Sequence, residues 1–374
     1  MSIRVGILGA TGAVGQTFVR LLADHPTFTV TAVAASERSA GKPYREAANW
    51  IADAEMDPRI GDLVVQPCEP SALDVDLVFS GLDAAVAGDI EAAFARAGVP
   101  VVSNARNYRM QADVPLLIPE VNPDHLALVE RQSWASAGPG SESGTGSAPS
   151  GGFVVTNPNC STVGLAVALK PLDDAFGVEA AHVVTMQAAS GAGYPGVPTL
   201  DTLGNVVPYI SGEEDKMATE TRKILGTLGA PGSGSGAGSG VVDHPVVVSA
   251  QCHRVPVLDG HTEAVSLRLT GDPSPEAVAD ALRSWRSPLA DLDLPTAPEH
   301  PVHVFDDPRF PQPRRHANLG GGMTVSVGRI QACPVLGVKM VVLSHNTVRG
   351  AAGGAILNAE LLVERGLIAA PATA

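Results

Sequence analysis

The stretch Arg4-Val-Gly-Ile-Leu-Gly-Ala-Thr-Gly-Ala-Val-Gly15 decides the fold, because it joins an apolar strand pattern directly to a glycine-rich turn. Arg4–Leu8 has the composition of a short buried strand, Gln16–Ala23 has helical spacing, and Phe28–Ala35 again reads as a strand. Together they form a βαβ unit of roughly 30 residues. The alternation continues and predicts a parallel, doubly wound sheet of the α/β class. Further candidates are the strands Leu77–Ser80, Val99–Ser103 and Leu116–Ile118 and the helix Ala84–Ala97.

Three glycines at three-residue spacing lie in the first strand-to-helix turn. Glycine permits the tight turn at Gly9, close approach of a pyrophosphate at Gly12, and close helix packing at Gly15. The N–H groups and positive dipole of the following helix then bind the anion. The spacing GxxGxxG differs from the common GxGxxG, and a plain glycine turn is the alternative, but its place favours a Rossmann-type dinucleotide site. The expected lining residues are Gly9, Thr11, Gly12, Ala13, Val14 and Gly15.

The segment after the second strand should meet the adenosine ribose of that dinucleotide. It reads Ser36-Glu-Arg-Ser-Ala-Gly-Lys42. An acidic group there accepts the 2′-hydroxyl of NAD, whereas basic and hydroxyl groups bind the 2′-phosphate of NADP. Glu37 alone would favour NAD, and a solvated loop is the alternative without function. The side chains of Ser36, Arg38, Ser39 and Lys42 together favour NADP.

Composition excludes several classes of function. The chain has 374 residues and a net charge of −14, so it lacks the positive field that nucleic-acid binding requires. With 45% hydrophobic and 17% charged residues it is globular rather than disordered, and its length suggests two domains. The sequence shows no signal peptide and no apolar run long enough to span a membrane. Four widely separated cysteines fit no disulfide framework or zinc ribbon and indicate a soluble, reduced, cytoplasmic protein.

The second half of the chain has strands in hairpin-like succession with fewer helices, which predicts an α+β domain. We expect a dinucleotide-binding domain over residues 1–155 with 345–374, and a catalytic and dimerisation domain over 156–344. The last helix, Gly350–Leu367, would return to the first domain. Two Gly/Ser-rich stretches, Ser136–Gly152 and Gly229–Gly240, read as flexible surface loops. Further candidates are the strands Ala181–Ala188, Val246–Val255, Thr262–Thr270 and Met323–Ile330 and the helix-rich pieces Asn205–Leu225 and Pro275–Trp285.

A cysteine lies in the turn Thr156-Asn-Pro-Asn-Cys-Ser-Thr162, just before the helical run Val163–Leu169. A thiol at a helix N-terminus has a lowered pKa, because the helix dipole favours the thiolate. Backbone N–H groups of the same turn can also hold an oxyanion. A small buried side chain is the common alternative for a cysteine. Downstream of a dinucleotide fold, Cys160 is predicted to be a nucleophile.

Six motifs follow one another along the chain. They are GATGAVG from Gly9, NPNCST from Asn157, QAASGAGYPG from Gln187, GEEDK from Gly212, HRVPVLDGHTE from His253 and HNTVRGAAGGAILNAE from His345. In this order they resemble the aspartate-β-semialdehyde dehydrogenase family, in the branch typical of archaea and fungi. The resemblance implies NADPH-dependent reduction of L-aspartyl-4-phosphate to the semialdehyde and phosphate, at the branch point towards lysine, threonine and methionine. It also implies a homodimer or homotetramer built through the second domain.

The resemblance assigns the two groups that would perform the chemistry. Cys160 would attack the acyl phosphate and expel phosphate, leaving a thioester that hydride from NADPH reduces. His261 would be the acid/base for the hemiacetal oxygen. By chemistry alone His253 and the pair His300 and His303 are rivals. That pair has no third ligand nearby, so no metal site is predicted.

The resemblance also assigns the groups that would bind substrate and cofactor. Gln187 would orient the reacting group, and Arg254 would grip the substrate carboxylate with two parallel hydrogen bonds. Glu213 would bind the ammonium group, and Lys216 and Arg109 the phosphate. Asn104 and Asn159 complete the substrate site, Arg106 is a second candidate for phosphate, and Gly191, Asn346 and Thr347 would contact the cofactor. Capping of the last helix is the alternative for Asn346 and Thr347.

Three alternatives stay open. A sibling reductase, acting on malonyl-CoA or N-acetylglutamyl phosphate, would share the mechanism, although Arg254 with Glu213 favours a zwitterionic amino acid. A phosphorylating aldehyde dehydrogenase of the glyceraldehyde-phosphate type would share the cysteine chemistry. A non-catalytic NADP-sensing protein would not need Cys160, His261 and Arg254 together.

Overall fold

A computed structural model describes residues 2–134, 151–229 and 240–368. The predicted loops Ser136–Gly152 and Gly229–Gly240 lie outside the described residues, apart from positions 151, 152, 229 and 240. The strands are β1 (Ile3–Leu8), β2 (Phe28–Ala35), β3 (Gln66–Pro67), β4 (Leu77–Ser80), β5 (Val101–Ser103), β6 (Val154–Thr156), β7 (Val178–Gln187), β8 (Thr227–Leu228), β9 (Val241–Val242), β10 (Val247–Arg254), β11 (His261–Leu269), β12 (Val302–Phe305), β13 (Val325–Cys333) and β14 (Gly337–Ser344). The helices are α1 (Ala13–Leu22), α2 (Tyr44–Ala47), α3 (Pro58–Gly61), α4 (Ala84–Arg96), α5 (Cys160–Phe176), α6 (Thr199–Thr202), α7 (Glu213–Ile224), α8 (Pro275–Ser284), α9 (Pro313–His316) and α10 (Gly353–Glu364).

The first sheet has the strand order β3-β2-β1-β4-β5-β6, and every pair in it is parallel. This is the order of a dinucleotide-binding α/β sheet, so the predicted doubly wound fold is confirmed. The predicted bounds of β2 and β4 are also confirmed. The strand predicted at Leu116–Ile118 is wrong: Leu116 forms only an isolated bridge with Thr156. The N–H of Ile118 instead donates to the side chain of Asn122, which ends the pairing.

The second sheet is mixed, with the order β10-β7-β11-β14-β13-β12. Helices α5 and α8 pack against it over an apolar core, as an α+β domain requires. The opposite face presents Val184, Met186, Ala264 and Val341 on three neighbouring strands, all partly or fully exposed.

The piece predicted to be helix-rich, Asn205–Leu225, contains one helix, in its second half. The chain is helical from Glu213 to Ile224, but not over residues 205–212. Gly204 and Gly212 both have a φ of 67°, and Pro208 lies between them. Left-handed glycines and a proline end regular helical hydrogen bonding, so α7 starts only after Gly212.

The C-terminal helix packs with the first sheet, as predicted. Ile356, Leu357 and Leu361 of α10 belong to the same buried cluster as the core residues of β1 and β2. A single π turn, Val348–Ala352, precedes the helix. It is fixed by Arg349, whose guanidinium forms a bidentate ion pair of 2.6 and 2.8 Å with the buried carboxylate of Glu120.

Candidate active site

Cys160 is the first residue of α5, directly after the turn that follows β6. The side chain of Asn159 caps the helix: its Oδ1 accepts from the backbone N–H groups of Ser161 at 3.0 Å and of Thr162 at 3.4 Å. The cap accounts for the sharp entry into the helix. It leaves the Cys160 thiol at the helix N-terminus, as the sequence predicts.

His261 faces this thiol from the first position of β11. Its Nε2 lies 3.2 Å from Sγ of Cys160, and the ring is fully buried. On the other side of the ring, Nδ1 accepts a 3.0 Å hydrogen bond from the backbone N–H of Ala188. Because Nδ1 is an acceptor, the proton of the neutral ring is on Nε2, and His261 presents a donor to the sulfur.

The thiol is less acidic than the sequence predicts. Desolvation by the surrounding protein raises the pKa of Cys160 to about 12, and the carboxylate of Glu213 acts in the same direction. The positive charges of Arg109, Arg254 and Lys216 oppose this rise. The direction of this shift is opposite to the lowered pKa predicted for the helix start, because desolvation is the largest effect on the thiol.

Burial has the opposite effect on the histidine. It lowers the pKa of His261 to about 3, because a charged imidazole would be desolvated, and the nearby charge of Arg254 adds to this effect. The ring is therefore neutral across the physiological range.

A second group of side chains meets at the start of α7. The carboxylate of Glu213 accepts from Asn159 Nδ2 at 2.9 and 3.1 Å and from Lys216 Nζ at 2.7 Å. Gln187, buried at the end of β7, donates to the same carboxylate at 3.4 Å. The structure thus brings together four of the predicted site residues, Asn159, Gln187, Glu213 and Lys216, in one hydrogen-bonded group beside Cys160.

Arg254 reaches the site from the end of β10, which runs parallel to β7. Its Nη1 donates to the carbonyl of Ala188 at 2.7 Å, the residue whose N–H holds His261. A Cβ added to Gly191 would lie 2.8 Å from Arg254 Nη1 and 3.0 Å from His261 Cε1, so only glycine allows this approach. Gly191, predicted to contact cofactor, therefore lies directly against the side chains of Arg254 and His261.

The two candidate phosphate-binding arginines lie in different environments. Arg106 is exposed, whereas Arg109 is buried and faces the site. Nη1 of Arg109 donates to Glu220 at 2.9 Å and Nη2 donates to the carbonyl of Asn104 at 2.7 Å. Asn104 in turn accepts a 3.0 Å bond from Asn157, three residues before the nucleophile. The geometry favours Arg109 over Arg106.

The predicted cofactor turn has the shape that a pyrophosphate requires. Gly9 has a φ of 75°, and a Cβ on Gly15 would lie 2.3 Å from the carbonyl oxygen of Gly9. Gly12 is the N-cap of α1 and is exposed, so the helix start is open to an anion. Thr11, Ala13 and Val14, on either side of it, are partly exposed.

The ribose segment follows β2 without a break. Ser36, Glu37 and Arg38 are exposed and Ser39 is partly exposed. Among the described residues Arg38 forms no ion pair, so its guanidinium is available to a phosphate group.

The stretch before α10 is largely occupied by structural contacts. Asn346 accepts a 2.8 Å bond from the N–H of Gly260 and donates to Ser190 Oγ at 2.8 Å, which joins the loop before His261 to the loop of Gly191. The N–H of Thr347 donates to His345. A cofactor contact for Asn346 and Thr347 stays a prediction.

Three residues near the nucleophile escaped the sequence prediction. Glu220 binds Arg109, Lys223 donates to three backbone carbonyls of residues 109–114, and Gly350 packs against Cys160. Glu220 and Lys223 follow Glu213 and Lys216 by seven residues each, so helical spacing places them on the same face of α7. That spacing is the signal from which they could have been found.

Residues 2–134, 151–229 and 240–368 contain no cluster of three or more His, Cys, Asp or Glu side chains that could hold a metal ion. None of their helices is both long and apolar enough to cross a membrane.

Comparison with known proteins gives full-length matches. The family models described as "Semialdehyde dehydrogenase, NAD binding domain" and "Semialdehyde dehydrogenase, dimerisation domain" match residues 4–129 and 169–349. The aspartate-semialdehyde dehydrogenases of Candida albicans and Archaeoglobus fulgidus are 48% and 47% identical, over 98% of this chain and 100% of each relative.

Solved structures agree with these matches. Aspartate semialdehyde dehydrogenase with NADP from Candida albicans superposes with a TM-score of 0.86 and 47% identity, over 98% of this chain and 100% of that one. Aspartate semialdehyde dehydrogenase II complexed with ASA from Vibrio cholerae gives a TM-score of 0.73 and 29% identity, over 97% and 99% of the two chains.

Proposed function

The chain belongs to the aspartate-semialdehyde dehydrogenase family, and from this premise we propose that it reduces L-aspartyl-4-phosphate to L-aspartate 4-semialdehyde and phosphate with NADPH. The observation that carries the proposal is the Cys160–His261 contact of 3.2 Å, set among groups that match a phosphorylated amino acid. The activity is a step in the synthesis of lysine, threonine and methionine.

Cys160 is the nucleophile. Its Sγ attacks the acyl carbon, the bond to the phosphate oxygen breaks, and an enzyme-bound thioester remains. His261 donates its Nε2–H towards the sulfur and so stabilises the thiolate at the moment of attack. The same N–H donates to the substrate oxygen when negative charge develops there. Collapse of the reduced centre returns the thiolate and releases the aldehyde.

NADPH supplies the hydride to the thioester carbon when bound. The turn residues Gly9, Thr11, Gly12, Ala13, Val14 and Gly15 would hold its pyrophosphate through backbone N–H groups. Ser36, Arg38 and Ser39 would hold its 2′-phosphate.

The substrate is recognised by groups of matching charge. Arg254 binds the α-carboxylate and Glu213 the ammonium group, while Lys216 and Arg109 bind the phosphate. Asn159 and Gln187 hold Glu213 in place, because both donate to its carboxylate. A substrate without an ammonium group, such as malonyl-CoA, would leave Glu213 without a charge partner.

The active form is a homodimer or a homotetramer. Support comes from the dimerisation-domain model that matches residues 169–349 and from the apolar side chains on the open face of the second sheet. We place the contact between copies on that face. We also propose a cofactor domain over 1–155 with 345–374 and a catalytic domain over 156–344, with the boundary inside β6, and a cytoplasmic location suits the reaction.

A reverse assay tests the activity. The purified protein, NADP and aspartate semialdehyde should form NADPH only when phosphate is added, and Cys160→Ala should abolish this while NADP binding is kept. Absence of phosphate-stimulated NADPH formation would overturn the substrate assignment. Equal turnover with N-acetylglutamate semialdehyde would point to the sibling reductase.

A further inference from the structure

We infer that Glu220 is a positioning residue that sets the phosphate-binding arginine and the nucleophile's helix in one fixed geometry. The inference rests on the proposed function, because it takes Arg109 as the group that binds phosphate.

The carboxylate of Glu220 is buried and makes two contacts with distant parts of the chain. Oε1 accepts a 2.9 Å bond from Nη1 of Arg109, and Oε2 accepts a 2.7 Å bond from the backbone N–H of Asn159. One carboxylate therefore connects the phosphate-binding group to the residue before Cys160.

The contact between Glu220 and Arg109 fixes the orientation of the guanidinium in the site. Glu220 and the carbonyl of Asn104 each take one donor, from Nη1 and Nη2 respectively. Arg109 is only 7% exposed, and its Nε has no partner among the described residues. A guanidinium is planar and has five N–H donors. With one N–H of Nη1 and one of Nη2 already bound, the orientation of the remaining N–H donors towards an anion is fixed.

The second contact fixes the chain where α5 begins. Asn159 caps that helix with its side chain, and its own N–H is bound by Glu220. A shift of this bond would move the nucleophile relative to Arg109. Acyl transfer from a phosphate depends steeply on such distances, since a small misplacement of reacting groups costs much of the rate.

Lys223 supports the same arrangement one turn further along α7. Its Nζ donates to the carbonyls of Arg109 and Gln111 at 2.7 Å and of Val114 at 2.9 Å. The backbone of the arginine loop and the arginine side chain are thus held by neighbouring positions of one helix.

The test compares Glu220→Gln with Asp215→Asn in the reverse assay. Both variants remove one negative charge from α7, but Asp215 is exposed and takes no part in the site. The amide of Glu220→Gln keeps one acceptor oxygen, but its NH₂ group faces the other donor, either Arg109 Nη1 or the N–H of Asn159. One of the two bonds is therefore lost, and the KM for inorganic phosphate should rise about 10- to 100-fold. The KM for NADP should change less than about twofold, and Asp215→Asn should leave all constants near those of the wild type.

A third variant separates positioning from general destabilisation. Glu220→Asp keeps both acceptors and should recover part of the phosphate affinity. In an Arg109→Ala background, Glu220→Gln should no longer raise the KM for phosphate, because the group that it positions is gone.

The possible failures are distinguishable. If Arg109→Ala leaves the KM for phosphate unchanged, the phosphate assignment of the proposed function is wrong. If Arg109→Ala raises that KM and Glu220→Gln does not, the role of Glu220 is overturned. An equal rise in the KM values for phosphate and NADP would also overturn it.

Discussion

The backbone N–H of Ala188 donates to Nδ1 of His261, and this contact makes the ring a donor to Cys160 rather than an acceptor. A neutral donor can stabilise an oxyanion or a thiolate without exchanging a proton, as an oxyanion hole does. In this tautomer His261 can donate from Nε2–H, and its predicted acid/base role at the hemiacetal oxygen stays a prediction. In the proposed reaction the proton of the thiol leaves with the released phosphate, and the thiolate that is regenerated takes up a proton from solvent.

The first prediction concerns the charge of this ring. Burial lowers the pKa of His261 to about 3, so the ring stays neutral above that pH and gains no proton near 6.5. Nitrogen NMR of ring-labelled protein should show constant Nδ1 and Nε2 shifts for His261 from about pH 5.5 to 8. His261→Gln identifies the signal, and a titration midpoint near pH 6.5 would contradict the prediction.

The second prediction concerns the reactivity of the thiol. The negative charge of Glu213 raises the pKa of Cys160, so its removal favours the thiolate. Glu213→Gln should therefore be alkylated by iodoacetamide faster than the wild type at pH 8, although it binds substrate less well. Asp215→Asn serves as the charge control on the same helix and should react at the wild-type rate. An unchanged or slower rate in Glu213→Gln would show that its charge does not reach the sulfur.

The third prediction concerns a glycine behind the nucleophile. A Cβ on Gly350 would lie 2.8 Å from Cβ and 2.9 Å from Cα of Cys160, closer than packed atoms can approach. Gly350→Ala should displace Cys160 and lower kcat at least about tenfold, since a small shift of the reacting atom is costly. The matched control is Gly151→Ala, whose new methyl group meets nothing within 4 Å. Wild-type kcat in Gly350→Ala would contradict this account.

The fourth prediction concerns cofactor choice. Arg38 is exposed after β2 and pairs with no acidic side chain among the described residues. Arg38→Ala should raise the KM for NADP at least about tenfold, because a charge-assisted bond to phosphate is lost, and should leave the KM for NAD nearly unchanged. A parallel rise for both cofactors would indicate a structural role instead.

Features of the fold and the site that depend on neighbouring residues could be predicted from the sequence. Phe28–Ala35 was correctly bounded because its apolar residues lie between clear turn signals, and Cys160 was placed at a helix start by the residues around it. Glu220 was missed because its partners Arg109 and Asn159 are 111 and 61 positions away. The predicted pKa shift of Cys160 had the opposite direction for a related reason. Desolvation depends on how the whole protein packs around the thiol, and the residues of the local motif do not show it.

The π turn before α10 makes the number of residues there a determinant of the site. Its widened bonds, from the N–H of Gly350 to the carbonyl of His345 and from Ala352 to Thr347, accommodate one residue more than an α turn. Deleting a single residue from Val348–Ala352 would restore α hydrogen bonding while α10 keeps its place in the first core. Arg349 and Gly350 could then not both keep their positions, so either the ion pair with Glu120 or the packing against Cys160 would be lost. This turn therefore accepts neither a larger residue at Gly350 nor a change in its length.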